Sequence, residues 1–128
     1  MNVFDSVHHF HLKFELRVNE TPDMLSTEHH KVRVNFMLEE LNEYQLSHHA
    51  ESMPDVLDGL IDLLYVVVGT IDQHGFTPEQ ATEAFRRVHE ANMKKIRVKS
   101  ADESKRGTKY DVAKPADWEP PVLDDLCK

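Results

Sequence analysis

The stretch Asp58-Gly59-Leu60-Ile61-Asp62-Leu63-Leu64-Tyr65-Val66-Val67-Val68 decides the fold. Together with Val56 and Leu57 it leaves almost no polar face. A helix that is apolar nearly all round belongs at the centre of a bundle. Val66-Val67-Val68 alone would also suit a buried strand. No turn signal interrupts the context from Pro54 to Gly75, which favours one helix over roughly 54–74. Pro54 suits a first helical turn and Gly75 suits the position just past the last.

Three more helices are expected around it. Val3, Phe4, Val7, Phe10 and Phe14 follow the spacing of one apolar face and predict a helix over roughly 2–18. Asn19 to Pro22 break it. A second helix over roughly 23–48 is rich in Glu, Leu and Met. Residues 49–54 form its connection to the third. Thr77, Pro78 and Gln80 mark the start of a fourth helix, which Ala81, Ala84, Phe85, Val88 and Met93 carry to about Arg97. Residues 99–128 are charged and Pro-rich and read as a mostly irregular tail, with Trp118 pinning it to the body or to a second subunit. The expected fold is all-α, a four-helix-type bundle in a single domain spanning 1–128.

The 128 residues suffice for a real core. The first residues lack the basic and apolar regions of a cleavable signal. The apolar run after Asp62 is too short for a bilayer. One cysteine, Cys127, precludes an intrachain disulfide framework, so a reducing cytoplasm is the default compartment. The formal net charge of -8 argues against a nucleic-acid coat. It leaves phosphorylated small ligands open, because a bound cation inverts the local charge logic.

Carboxylates mark both ends of the second connection. Glu40 and Glu43 share a helix face, Glu39 shares a row with Glu43, and Asp58 shares a face with Asp62. Two helices joined by a short connection pack antiparallel. Folding about Glu51 sets Glu43 level with Asp58 and Glu40 level with Asp62. Four carboxylates at matched heights repel unless a cation lies between them, and a hard divalent cation requires such oxygens. A solvated acidic face would account for the glutamates alone. It accounts poorly for two aspartates in the most apolar helix, since Asp has low helix propensity.

Glu39-Glu40-Leu41-Asn42-Glu43 followed by Asp58 to Tyr65 resembles the all-α nucleoside triphosphate pyrophosphohydrolases. That superfamily includes MazG, the dimeric dUTPases and phosphoribosyl-ATP pyrophosphohydrolase. Val88-His89-Glu90-Ala91-Asn92-Met93-Lys94-Lys95 looks like its downstream Asn/Lys element. Phe10 to Phe14 and Lys109 to Leu123 look like the phosphoribosyl-ATP pyrophosphohydrolase-like branch. The resemblance implies a MazG-like fold and Mg²⁺, with Mn²⁺ as a substitute, on Glu40, Glu43 and Asp62. The commoner second motif has Glu three residues before the Asp. That position is Gly59 here, and Asp58 is the substitute acid. Glu39 resembles the family's general base. A homo-oligomer, dimer or tetramer, is also implied.

The expected activity is hydrolysis of a nucleoside triphosphate or related nucleotide to the monophosphate and pyrophosphate. One alternative is phosphoribosyl-ATP pyrophosphohydrolase of histidine synthesis. Another is a non-catalytic helical nucleotide-binding or interaction module. Asn92 and Lys95, one turn apart, would face the phosphates. Lys13 and Lys109, the latter in the basic run 105–109, are further candidates for phosphate contact, with solvent exposure as the alternative for both. The histidines read as solvated surface, because adjacent residues on a helix diverge too far to share a metal, with packing or an approach to the site through the first helix as the alternatives for His11. No partner membrane or nucleic acid is expected.

Overall fold

The computed structural model describes residues 1–128 as an all-α fold with a small β-hairpin. Helix α1 is Val3–Lys13, α2 is Thr27–His49, α3 is Met53–Gln73 and α4 is Pro78–Met93. Strands β1 (Ile96–Arg97) and β2 (Val112–Ala113) pair antiparallel, Ile96 opposite Ala113. Single 3-10 turns occupy Ala101–Glu103 and Asp124–Leu126. The chain divides into two compact units, Met1–Ala81 with Cys127–Lys128, and Thr82–Leu126.

Local chemistry sets the ends of the helices. Asn2 caps α1 in a reciprocal box with Asp5. Ser26 and Ser52 cap α2 and α3 through the backbone N–H groups of His29 and Asp55. The box expected at α4 is present: Gln80 N–H donates to Thr77 Oγ1 at 3.1 Å, and Thr77 N–H donates to Gln80 Oε1 at 2.9 Å. Helix α1 stops at Lys13, earlier than its apolar pattern suggests. Glu15 takes a left-handed conformation (φ 56°), and Leu16 N–H donates to the His11 carbonyl. Glu51 repeats the motif after α2 (φ 56°), with Ser52 N–H on the Ser47 carbonyl. At the end of α3, Gly75 has φ 99°, and a Cβ there would meet the Thr21 carbonyl oxygen at 2.2 Å. Only glycine fits that crossing of loop and helix end.

In the first unit α3 packs against both α1 and α2. Val7, Leu25, Val68 and Ala81 are its buried apolar side chains. The loop 14–26 closes the end of α3: Asn19 and Asp23 N–H groups donate to the carbonyls of Gln73 and His74. The expectation that α3 is enclosed holds for only part of its surface. Leu57, Leu60, Ile61, Leu64, Tyr65 and Val67 remain exposed. Two neighbouring helices cannot cover a helix that is apolar on every side.

In the second unit α4 ends at Met93, four residues short of the expected Arg97, because Ile96 and Arg97 turn into β1. The tail is therefore more ordered than its composition suggests. Asp111 holds the hairpin loop. It accepts from the Ser104 hydroxyl at 2.6 Å, from Val112 N–H at 2.8 Å and from Arg106 at 2.7 Å. These bonds bring its carboxyl down to about 2. Trp118 donates from Nε1 to the Ala91 carbonyl at 2.6 Å, so it does pin the tail, to the end of α4. Arg87 clamps the last segment through Asp125 and the Val122 carbonyl.

Candidate active site

The α2–α3 hairpin runs antiparallel and brings Glu40 to Asp62 as the sequence register expects, whereas the expected fourth carboxylate, Asp58 beside Glu43, does not join them. A Cβ on Gly59 would lie 3.2 Å from Tyr44 Cα, and the buried Arg33 guanidinium donates to the Val66 carbonyl and Thr70 hydroxyl. These crossings set Glu40 and Glu43 opposite Asp62. One carboxylate oxygen from each of the three lies within 4.8 Å of the others. Asp58, an exposed residue one turn before Asp62, lies outside that group, and Glu39 is exposed beside it on α2.

Glu40 is the strained member. Its Oε2 is buried and has no hydrogen-bond partner. Burial pushes its carboxyl above the ordinary carboxylate range. The charges of Glu43 and Asp62, a hydrogen bond shared with Glu43 and the charge of Glu39 add to the effect. An orphaned buried oxygen amid like charges is the environment a cation relieves. Two oxygens on one Mg²⁺ at about 2.1 Å lie at most about 4.2 Å apart, close to the 4.8 Å within which these three oxygens fall. The donor set, all carboxylate oxygen, suits a hard cation.

Gly59 explains the departure in the second acidic motif. It is buried where α3 crosses the α2 backbone at Tyr44. A Cβ there would need the α2 backbone to give by a few tenths of an ångström, because the neighbour it meets is main chain.

The model of the phosphoribosyl-ATP pyrophosphohydrolase family matches residues 7–92, more than half of the chain. The chain belongs to that family. It is accordingly a pyrophosphohydrolase, a hydrolase of phosphoanhydride bonds with a nucleotide substrate. The family is typically dependent on a divalent metal, and the acidic cluster lies inside the matched region. No curated protein matches the sequence. No helix is long and apolar enough to cross a membrane.

The remaining candidates are placed as follows. Lys13 is exposed at the end of α1, its Nζ 5.2 Å from the Phe14 ring centroid. Asn92 is exposed in the last turn of α4, and its carbonyl accepts from Lys95 N–H. Lys95 and Lys109 lie over the rings of Trp118 and Tyr110.

A second polar cluster escaped the sequence reading. Asp72, buried near the end of α3, accepts from His8 Nδ1 and His11 Nδ1, each at 2.7 Å, and Arg17 Nε lies 3.7 Å away. Desolvation opposes the charge of Asp72. The bonds from His11 and His8 and the charge of Arg17 outweigh it and bring the carboxyl below its ordinary value. His11 is 2% exposed, so the solvated-surface reading of the histidines fails here. The signal available was Asp72 itself, a fourth aspartate in the apolar helix.

Proposed function

We propose that this chain hydrolyses phosphoribosyl-ATP to phosphoribosyl-AMP and pyrophosphate, using one or more divalent cations held by Glu40, Glu43 and Asp62. The family match over residues 7–92 carries the substrate reading, and it favours phosphoribosyl-ATP over nucleoside triphosphates at large. The convergence of three carboxylates around the unpartnered Glu40 Oε2 supports the metal reading. Mg²⁺ is the cation proposed, with Mn²⁺ as a substitute. When bound, the cation neutralises polyphosphate charge and lowers the pKa of a coordinated water.

The chain's own residues supply the rest. Glu39, exposed next to the ligand pair, is the proposed general base that takes a proton from the attacking water. Attack at the α-phosphorus leaves pyrophosphate as the departing group. Asp58, one turn from Asp62, would assist in holding the cation through water. Asn92, Lys95, Lys13 and Lys109 are the proposed phosphate contacts, each an uncharged donor or a cation suited to an anionic oxygen.

We further propose a homodimer, or a dimer of dimers, formed through α2 and α3, and a cytoplasmic location. The exposed apolar side chains on α2 (Val32, Phe36, Leu41) and α3 (Leu60, Ile61, Leu64) support the dimer.

Pyrophosphate release from phosphoribosyl-ATP, compared with a panel of NTPs and dNTPs under Mg²⁺, tests the substrate. The expected result is a kcat/KM for phosphoribosyl-ATP well above that for any member of the panel. Equal or greater turnover of a dNTP would transfer the assignment to the broader superfamily activity.

A further inference from the structure

We propose that a cleft in the second unit, beyond the residues matched by the family, binds a phosphate-bearing anion. The cleft has a volume of about 510 Å³ and is lined by Lys95, Glu103, Lys105, Arg106, Asp111 and Lys114. That volume suits a small ligand. All six lie past residue 92, where the family match ends.

The charge accounting of the walls points to an anion. Asp111 is neutralised by Arg106, with which it forms an ion pair at 2.7 Å, and its oxygens also accept from Ser104 and Val112. Glu103 accepts from the backbone N–H of Lys99 at 3.3 Å. No carboxylate lies within ion-pair distance of Lys95, Lys105 or Lys114. Lys95 and Lys114 instead lie over the ring of Trp118, at 5.3 and 4.9 Å from its centroid. Three ammonium groups face one cleft against the single charge of Glu103, in a chain whose net charge is -8. A concave, cation-lined wall focuses positive potential on its contents. Phosphate oxygens match ammonium donors, and the aromatic ring holds two of them in place.

Trp118 is the chain's single tryptophan and lies against two lysines of the cleft wall, so its emission serves as the readout. The experiment titrates inorganic pyrophosphate into the full chain in EDTA, where the acidic cluster can hold no cation. A saturable change in Trp118 emission is expected. The affinity falls by about tenfold or more in the Lys105→Gln/Lys114→Gln double variant, and added salt weakens binding in the wild type. Neither lysine is a buried core residue, so the substitutions leave the packing of the helices intact. Glu40→Gln binds as wild type does in EDTA, which separates this cleft from the catalytic reading. If Glu40→Gln keeps full turnover, the catalytic reading fails and the cleft stands. Steady-state kinetics of the double variant identify the source of the anion. A raised KM with unchanged kcat assigns a phosphate of the substrate, and an unchanged KM assigns a free polyphosphate. Absence of a saturable emission change, or equal affinity in the double variant, overturns the proposal.

Discussion

Gly59 sets how closely the two acidic helices approach, because its Cα faces the backbone of Tyr44. Gly59→Ala is expected to lower stability by about 1 kcal/mol in urea denaturation. The clash costs about 1–3 kcal/mol, and alanine's better helix propensity returns about 1. Gly59→Glu restores the acid of the commoner motif, yet it is expected to lower both stability and pyrophosphate release, since the side chain wedges the hairpin open. A gain of activity in that variant would show that the missing acid, and not the close approach, limits the site. The grouping of Glu40, Glu43 and Asp62 is legible in the sequence, because helical spacing fixes which residues share a face and a short connection fixes the register. The exclusion of Asp58 from the group of three is not, since a displacement of one residue on a helix turns a side chain by about 100°.

The elements carry two consequences of their own. Glu51 ends α2 in a left-handed conformation that glycine adopts without cost. Glu51→Gly is therefore expected to stabilise the chain by about 0.5–1 kcal/mol, read as a rise in the urea midpoint with unchanged slope. Asp72 joins α1 to α3 through His8 and His11. Its folded pKa is lowered, so its contribution is fully present above the unfolded value of 3.8 and is lost as pH falls through the folded value. Asp72→Asn is expected to cost about 2–3 kcal/mol near neutral pH, and the deficit should shrink once the pH drops below 3.8. A deficit constant over that range would mean that Asp72 acts by shape rather than charge. This cluster stayed hidden in the sequence because its members are 61 and 64 residues apart. The β-hairpin was equally illegible: strands of two residues have no alternation to read, and a chelating Asp111 rather than an apolar pattern holds the loop.

At the scale of the whole molecule, the all-α architecture follows from one over-apolar helix, and so does what that helix leaves unfinished. The exposed side chains of α2 and α3 exceed what scattered surface residues explain. Analytical ultracentrifugation is expected to give a dimer or a tetramer, and Leu60→Asp/Leu64→Asp is expected to shift it toward monomer with loss of thermal stability. A monomeric wild type would remove the second subunit from the account. The central claim concerns Glu40, Glu43 and Asp62, and Glu40→Gln tests it most directly by pyrophosphate release from phosphoribosyl-ATP under Mg²⁺. Removing the charge relieves repulsion in the apo chain, so folding is retained. Activity is expected to fall by at least about 100-fold, the scale of several kcal/mol of lost charge stabilisation, with loss of thermal stabilisation by Mg²⁺. A Glu40→Gln enzyme that releases pyrophosphate at the wild-type rate would contradict the metal site.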